Sequence, residues 1–251
     1  MPNWVTTQIN ITGNEEVIKK LLKSVQGKNA DDSEFDFNKV VRMPKSLGLP
    51  ESSTKTDYLR AYFTSLDKGE RKKAIDTYNE KSPSIFGGIT EKLATPLTAE
   101  ERENLVESTQ RSIEDYLPIC NSTEPEKIGE TYYNNAVKYG SSTWYDWACR
   151  NWGTKWNACD VSVFDNEDGS ANISFDTAWG YAYPILRKLA KKFKELVFDV
   201  WYADEDYGYN CGHIRYENGI EDVVDRSENG EPRYDIAETV LGYSYEEMMG
   251  E

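Results

Sequence analysis

Histidine is nearly absent from these 251 residues: His213 stands alone. Acid–base and nucleophile chemistry near neutral pH draws most often on imidazole. A Ser-His-Asp or Cys-His machine would therefore have to run through that single ring. Cysteine is scarce as well. Cys120, Cys149, Cys159 and Cys211 fall at no metal-binding spacing. Cys211 and His213 are two apart and would share one face of a strand, yet a zinc site needs three or four ligands. No basic-then-apolar leader follows Met1, so the thiols are expected to be reduced in a cytoplasmic protein. No apolar run approaches the roughly 20 residues needed to cross a bilayer. Phosphate loops are missing too: Gly87-Gly88 is followed by no Lys-Ser or Lys-Thr. Asp225, Ser227, Asn229 and Gly230 open like a calcium loop, but Ile236 stands where the loop needs Glu, so a plain Asn-Gly turn is expected. The expectation is a protein that is not an enzyme, with no catalytic residue, cofactor or metal.

Lysine is missing from residues 199–251, which hold 15 acidic side chains against 3 arginines, a net of −12. The whole chain carries −15, so the other residues contribute only −3 of it. A face of that sign repels phosphate, which excludes direct nucleic-acid binding and an anionic membrane as partners. It suits a basic partner. Asp204, Glu205 and Asp206 stand among Tyr202, Tyr207 and Tyr209. Carboxylates interleaved with flat amphipathic rings offer a partner both charge and anchors. The expected partner-binding residues are Asp204, Glu205, Asp206, Tyr207 and Tyr209, with Glu221 and Asp222 further on. The cations of residues 187–194 read as the solvated face of one helix.

With 7 Trp and 17 Tyr the chain is globular rather than disordered. Val5, Thr7, Ile9 and Ile11 alternate as in a half-buried strand. Asn14 is placed to cap a helix whose apolar face is Ile18, Leu21, Leu22 and Val25. Phe35, Phe37, Val40 and Val41 suggest a second strand, closed at Met43-Pro44. Residues 45–150 then turn helical. Tyr58, Leu59, Tyr62 and Phe63 mark one helix. Thr98 and Glu101 form a capping box for another, which Pro118 is expected to stop. Gly140 ends a third. Beyond residue 150 the strands resume. Asp168-Gly169 and Asn218-Gly219 signal hairpins, and Pro184 fits the first turn of a helix. The expected fold is α+β: an antiparallel sheet with two backing helices, residues 14–26 and 184–195. The frame comprises 1–44 and 151–251, and a mainly helical insertion covers 45–150.

Four separate motifs stand in order: Met1-Pro2-Asn3-Trp4, then Phe35-Asp36-Phe37-Asn38, then Asn151-Trp152-Gly153-Thr154-Lys155-Trp156, then Phe175-Asp176-Thr177-Ala178-Trp179. In this the chain resembles the YubB ferredoxin-like family, also described as phage Api-like proteins. The resemblance covers roughly residues 1–45 and 150–220. It implies a ferredoxin-like domain encoded on mobile elements and implies no reaction. Trp152, Trp156 and Trp179 read as folding hardware, large apolar surfaces with one polar N–H each. The mobile-element setting adds a functional expectation: an accessory protein that inhibits a host nucleic-acid-targeting defence complex, of the anti-CRISPR kind. The partner would be a basic host protein or nucleoprotein effector, met in the host cytoplasm. The alternatives are a small-ligand binder that soaks up a nucleotide signal, or an enzyme of unseen constellation.

Overall fold

Strand β1 (Trp4–Thr12) buries Val5, Thr7, Ile9 and Ile11 on one face, as its alternation requires. Helix α1 (Glu15–Val25) follows, and the Asn14 side chain accepts hydrogen bonds from the Glu16 and Val17 N–H groups at its start. The computed structural model describes residues 2–27, 34–82 and 89–250. Gly87-Gly88 lies outside them. The chain then runs through α2 (Lys55–Ser65), α3 (Lys68–Lys81), α4 (Ile89–Ala94), α5 (Ala99–Arg111), α6 (Ile113–Cys120), α7 (Pro125–Tyr139) and α8 (Trp144–Asn151). It continues as β2 (Cys159–Asp165), β3 (Ala171–Ala178), α9 (Tyr183–Lys192), β4 (Val197–Asp204), β5 (Gly212–Glu217), β6 (Ile220–Arg226), α10 (Tyr234–Leu241) and α11 (Tyr245–Met249). Two compact units result: Met1–Arg42 with Ala148–Glu251, and Met43–Trp147.

The first unit is a sheet of order β2-β3-β1-β4-β5-β6, with each neighbouring pair of strands antiparallel. Its first four strands, with α1 and α9, make a βαββαβ arrangement in which β1 and β3 lie between β2 and β4. That is the ferredoxin-like order. β5 and β6 widen the sheet past β4. The Asn218-Gly219 turn between them has φ of 55° and 73°, the left-handed pair a two-residue hairpin needs. One face of the sheet carries Val5, Ile9, Ile173, Phe175, Phe198 and Val200, all buried with Ile18 and Leu21 of α1 and Ile185 and Leu189 of α9. On the other face α10 packs Ile236, Ala237 and Val240 against Ala203, Tyr207 and Cys211.

The expected strand at residues 35–41 is not there. Phe37–Lys39 form a single 3-10 turn, capped by the Asp36 side chain. Both rings instead enter the core: Phe35 and Phe37 lie 5.1 and 5.7 Å from Phe175, and Phe37 meets Trp152 edge-on. Asn157 clamps the turn by accepting from the Phe37 N–H and donating to Asp36. Apolar residues two apart suit a pleat, but here they plug one site from a turn. Pro118 likewise stops nothing. The break between α5 and α6 falls at Ser112, and Pro118 sits inside α6.

The second unit is helical around Tyr58, Phe63, Leu105, Ile128 and Tyr132. Arg60 is buried within it. Its guanidinium donates to the Thr95 and Pro96 carbonyls, to Asp57, and in two-pronged fashion to Glu101 at 3.0 and 3.1 Å. Such paired geometry is what makes a buried cation tolerable. The same Glu101 closes the capping box with Thr98, as expected from the sequence. At Gly129 helix α7 meets α2: an added Cβ would lie 2.0 Å from the Tyr58 carbonyl oxygen.

Gly129→Ala should therefore push α2 and α7 apart and cost about 3 kcal/mol or more in a denaturant melt. A second prediction concerns pH. The Arg60 bond, with the Thr98 N–H, draws the Glu101 carboxyl down from 4.5 to about 2. A depressed folded-state pKa stabilises fully above the unfolded value, and that stabilisation disappears as pH falls from about 4.5 toward 2. Wild type should lose thermal stability across that window more steeply than Glu101→Gln. Parallel curves for the two would refute the assignment.

Candidate interaction site

At one end of the sheet β1 begins and β3 and β4 finish. Asp204, the last residue of β4, sits opposite Val5 and is buried. Its Oδ1 accepts from the Asn3 side chain at 3.2 Å and from the Asp206 N–H at 2.9 Å, while Oδ2 accepts from the Asn210 side chain at 2.8 Å. A buried carboxylate is tolerable when its lone pairs are met in this way. Asp204 thus ties the chain start, the end of β4 and the loop to β5 together. The Glu205 N–H donates to the Trp4 carbonyl, carrying the β1–β4 ladder one residue further. Glu205, Asp206 and Tyr209 are then held at the surface with their side chains exposed. Tyr207 turns inward: its hydroxyl donates to the Tyr243 carbonyl at 2.6 Å, and its ring packs among Tyr234, Tyr243 and Tyr245. That ring fixes α10 and α11 to the loop.

The expected partner-binding set is thus divided. Glu205, Asp206 and Tyr209 share one exposed loop, and Asp204 and Tyr207 are its internal supports. Glu221 and Asp222 lie on β6, at the sheet margin, pointing to opposite faces. Glu221 pairs across from Tyr216 and is half-buried, while Asp222 is exposed opposite Arg215.

The tryptophans divide as well. Trp152 is core, its indole N–H donating to the Val41 carbonyl at 2.8 Å. Trp179 is 46% exposed and holds a φ of 71°. A bulky residue in the left-handed region costs on the order of 1–3 kcal/mol, and such strain collects at functional surfaces. It is maintained from two sides: the Trp179 N–H donates to the Asn3 carbonyl, and its own carbonyl accepts from Asn210. Lys155 Nζ lies 4.4 Å from the Trp156 ring and 4.7 Å from that of Trp179, in cation–π geometry. Trp4 leans on Trp156 at 5.8 Å. Trp179 is therefore not the interior folding hardware expected of it, whereas Trp156 is half-buried. With Trp4 they form an aromatic surface joined through the Trp4 and Trp179 backbones to the acidic loop. Local sequence held no signal for it, because the rings meet from three distant segments.

His213 is half-buried on β5, on the sheet face that carries α10. Its Nε2 is 2.7 Å from Asp199 Oδ1, and its ring stacks on Trp201 at 3.8 Å and 13°. The Trp201 indole N–H donates to the other Asp199 oxygen at 3.2 Å. Cys211 does not join it. The Cys211 sulfur lies in the core under α10, donating to the Gly208 carbonyl at 3.1 Å, and burial pushes its pKa up, away from the thiolate. Among the described residues no group of three or more His, Cys, Asp or Glu is arranged to hold a metal ion. No helix among the described residues is long and apolar enough to cross a membrane.

All three arginines of residues 199–251 are used internally. Arg215 pairs with Glu217, Arg226 with Glu228, and Arg233 with both Asp225 and Asp235. Among the described residues no cation lies within ion-pair distance of Glu205, Asp206, Asp222, Glu231 or Glu238.

The strand order and backing helices define an α+β protein with a ferredoxin-like domain. Residues 151–243 match a family model described as the ferredoxin-like domain in Api92-like protein, so over this stretch the chain is similar to the Api92-like proteins. The match takes in Asn151–Trp156 and Phe175–Trp179, two of the motifs that carried the resemblance. A crystal structure of a protein Api92 from Yersinia pseudotuberculosis superposes with a TM-score of 0.44 at 12% identity, over 93% of this chain and 100% of that one. No curated protein matches the chain.

If Asp204 is a support rather than a contact, Asp204→Ala should lower stability by about 2–3 kcal/mol in a urea titration, since buried donors lose a charged acceptor. Glu205→Ala should change it by no more than about 0.5 kcal/mol. Equal effects would refute the division.

Proposed function

We propose that this protein is a binding protein, not an enzyme: an accessory protein of a phage or other mobile element, of the YubB kind, that inhibits a host nucleic-acid-targeting defence complex. Its mode is occlusion of a basic groove, as in anti-CRISPR inhibition. One observation carries the reading. The C-terminal region has no lysine and its three arginines pair with its own acids, which leaves Glu205, Asp206, Asp222, Glu231 and Glu238 without a cation partner among the described residues.

Glu205 and Asp206 are its best-placed contacts. They stand on a loop braced by Asp204, so they meet a partner with little ordering cost. Trp179 and Tyr209, exposed at 46% and 39%, supply the aromatic anchors that protein interfaces favour. The anionic field would also steer a basic partner toward the loop, an effect that salt screens over about 10 Å. An inhibitor of such a complex would work in the host cytoplasm.

The test compares wild type with Glu205→Lys/Asp206→Lys as bait in host lysate, followed by mass spectrometry at low and moderate salt. A phage-plating assay in a defended host runs alongside. Wild type should retain a stoichiometric basic partner that weakens with salt and should restore plating. The double variant should do neither while melting like wild type. Equal capture and equal plating by both proteins would overturn the role of this loop.

A further inference from the structure

We propose a second binding site on the sheet face that α10 only partly covers: a groove for a neutral polyhydroxylated ring ligand, a short oligosaccharide. The strand register builds it. Phe164, Asn172, Asn10 and Asp199 stand in one row across β2, β3, β1 and β4, because each is the direct cross-strand partner of the next. Ser174 and Trp201 belong to the neighbouring row, with Gln8 between them. With strands about 4.8 Å apart, a row from β2 to β4 spans roughly 14 Å. The concavity has a volume of about 500 Å³, and α10 walls it with Thr239. The Gln8 side chain ties that wall down by donating to the Val240 carbonyl at 2.9 Å.

The lining decides the ligand class. It contains no lysine or arginine, so a phosphate would find no counter-charge. Arg215, next along the Asp199 row, is paired with Glu217. Asp199 is the lining's only carboxylate, and both its oxygens are engaged, by His213 and by the Trp201 indole. It therefore makes no demand for a cation. The side chains of Asn10, Asn172 and Ser174 make no hydrogen bond with another described residue. Each carboxamide offers two donors and an acceptor, and the hydroxyl offers both roles. An apolar ligand would leave these groups unpaired, at a cost. Phe164, 60% exposed on the outermost strand, and Trp201, fixed by its stack on His213, bracket this polar floor. A pyranose fits both features: its hydroxyls donate and accept, and its C–H face lies on an aromatic ring.

Calorimetry and ligand-observed NMR on the intact protein would test this with maltotriose, cellotriose, chitotriose and adenosine as probes. At least one trisaccharide should bind. Phe164→Ala, whose ring is too exposed to support the fold, should weaken it about tenfold. Asn172→Ala should weaken it also, and Glu205→Lys/Asp206→Lys should leave it unchanged, which separates this site from the loop. Three results would each overturn the proposal: no trisaccharide binds; one binds equally to the Phe164 and Asn172 variants; or adenosine binds more tightly than any sugar.

Discussion

The ferredoxin-like unit depends on β1 being hydrogen-bonded along both sides. β3 pairs with it from Trp4 to Ile11 and β4 from Val5 to Thr12, so a nine-residue strand near the N-terminus is held by segments about 160–200 residues away. Its two faces then have unlike neighbours. Val5, Ile9 and Ile11 meet the apolar sides of α1 and α9, while Gln8 and Asn10 face the other way, where α10 covers part of the surface. A central strand with one apolar and one polar face allows a packed core on one side and a wet, hydrogen-bonding groove on the other.

The same strand organises the acidic loop. Where β1 starts, its Asn3 and Trp4 reach both neighbours at once. The Asn3 side chain reaches Asp204 and its carbonyl takes the Trp179 N–H, while the Trp4 carbonyl takes that of Glu205. One buried carboxylate and a few backbone bonds thereby place exposed acid and exposed tryptophan on one surface. The strained φ of Trp179 persists because bonds from two sides over-determine it. The charge of the loop cannot relax inward, since the arginines of its own region are already committed elsewhere.

Much of this was legible because it is local. The Asn14 cap, the Thr98–Glu101 box, the Asn218-Gly219 hairpin and the alternation of β1 each need only residues a few positions apart. The helical character of the middle of the chain followed from the same periodicities, and the ferredoxin-like frame from the resemblance that the four motifs carry. The failures are also of one kind. Phe35 and Phe37 share a two-residue spacing with a strand, yet a turn that feeds both rings to Phe175 satisfies that spacing equally well. Pro118 has the marks of a stop, yet α6 runs two residues past it to Cys120, so its missing N–H removes one bond of the last turn without ending the helix there.

By itself, then, the sequence determined where the elements begin and end at their caps, which strands alternate, and that negative charge gathers after residue 199. These depend on side chains reaching backbone within a turn, or on composition alone. Only the tertiary structure decided which members of a motif are hidden and which are presented. Asp204 and Glu205 are neighbours of the same charge, yet one is enclosed by Asn3 and Asn210 and the other faces water. Trp152 and Trp179 carry the same indole, yet one bonds to Val41 in the core and the other lies over Lys155 at the surface. Burial is set by partners that the chain brings from far away, and no local pattern of residues encodes that distance.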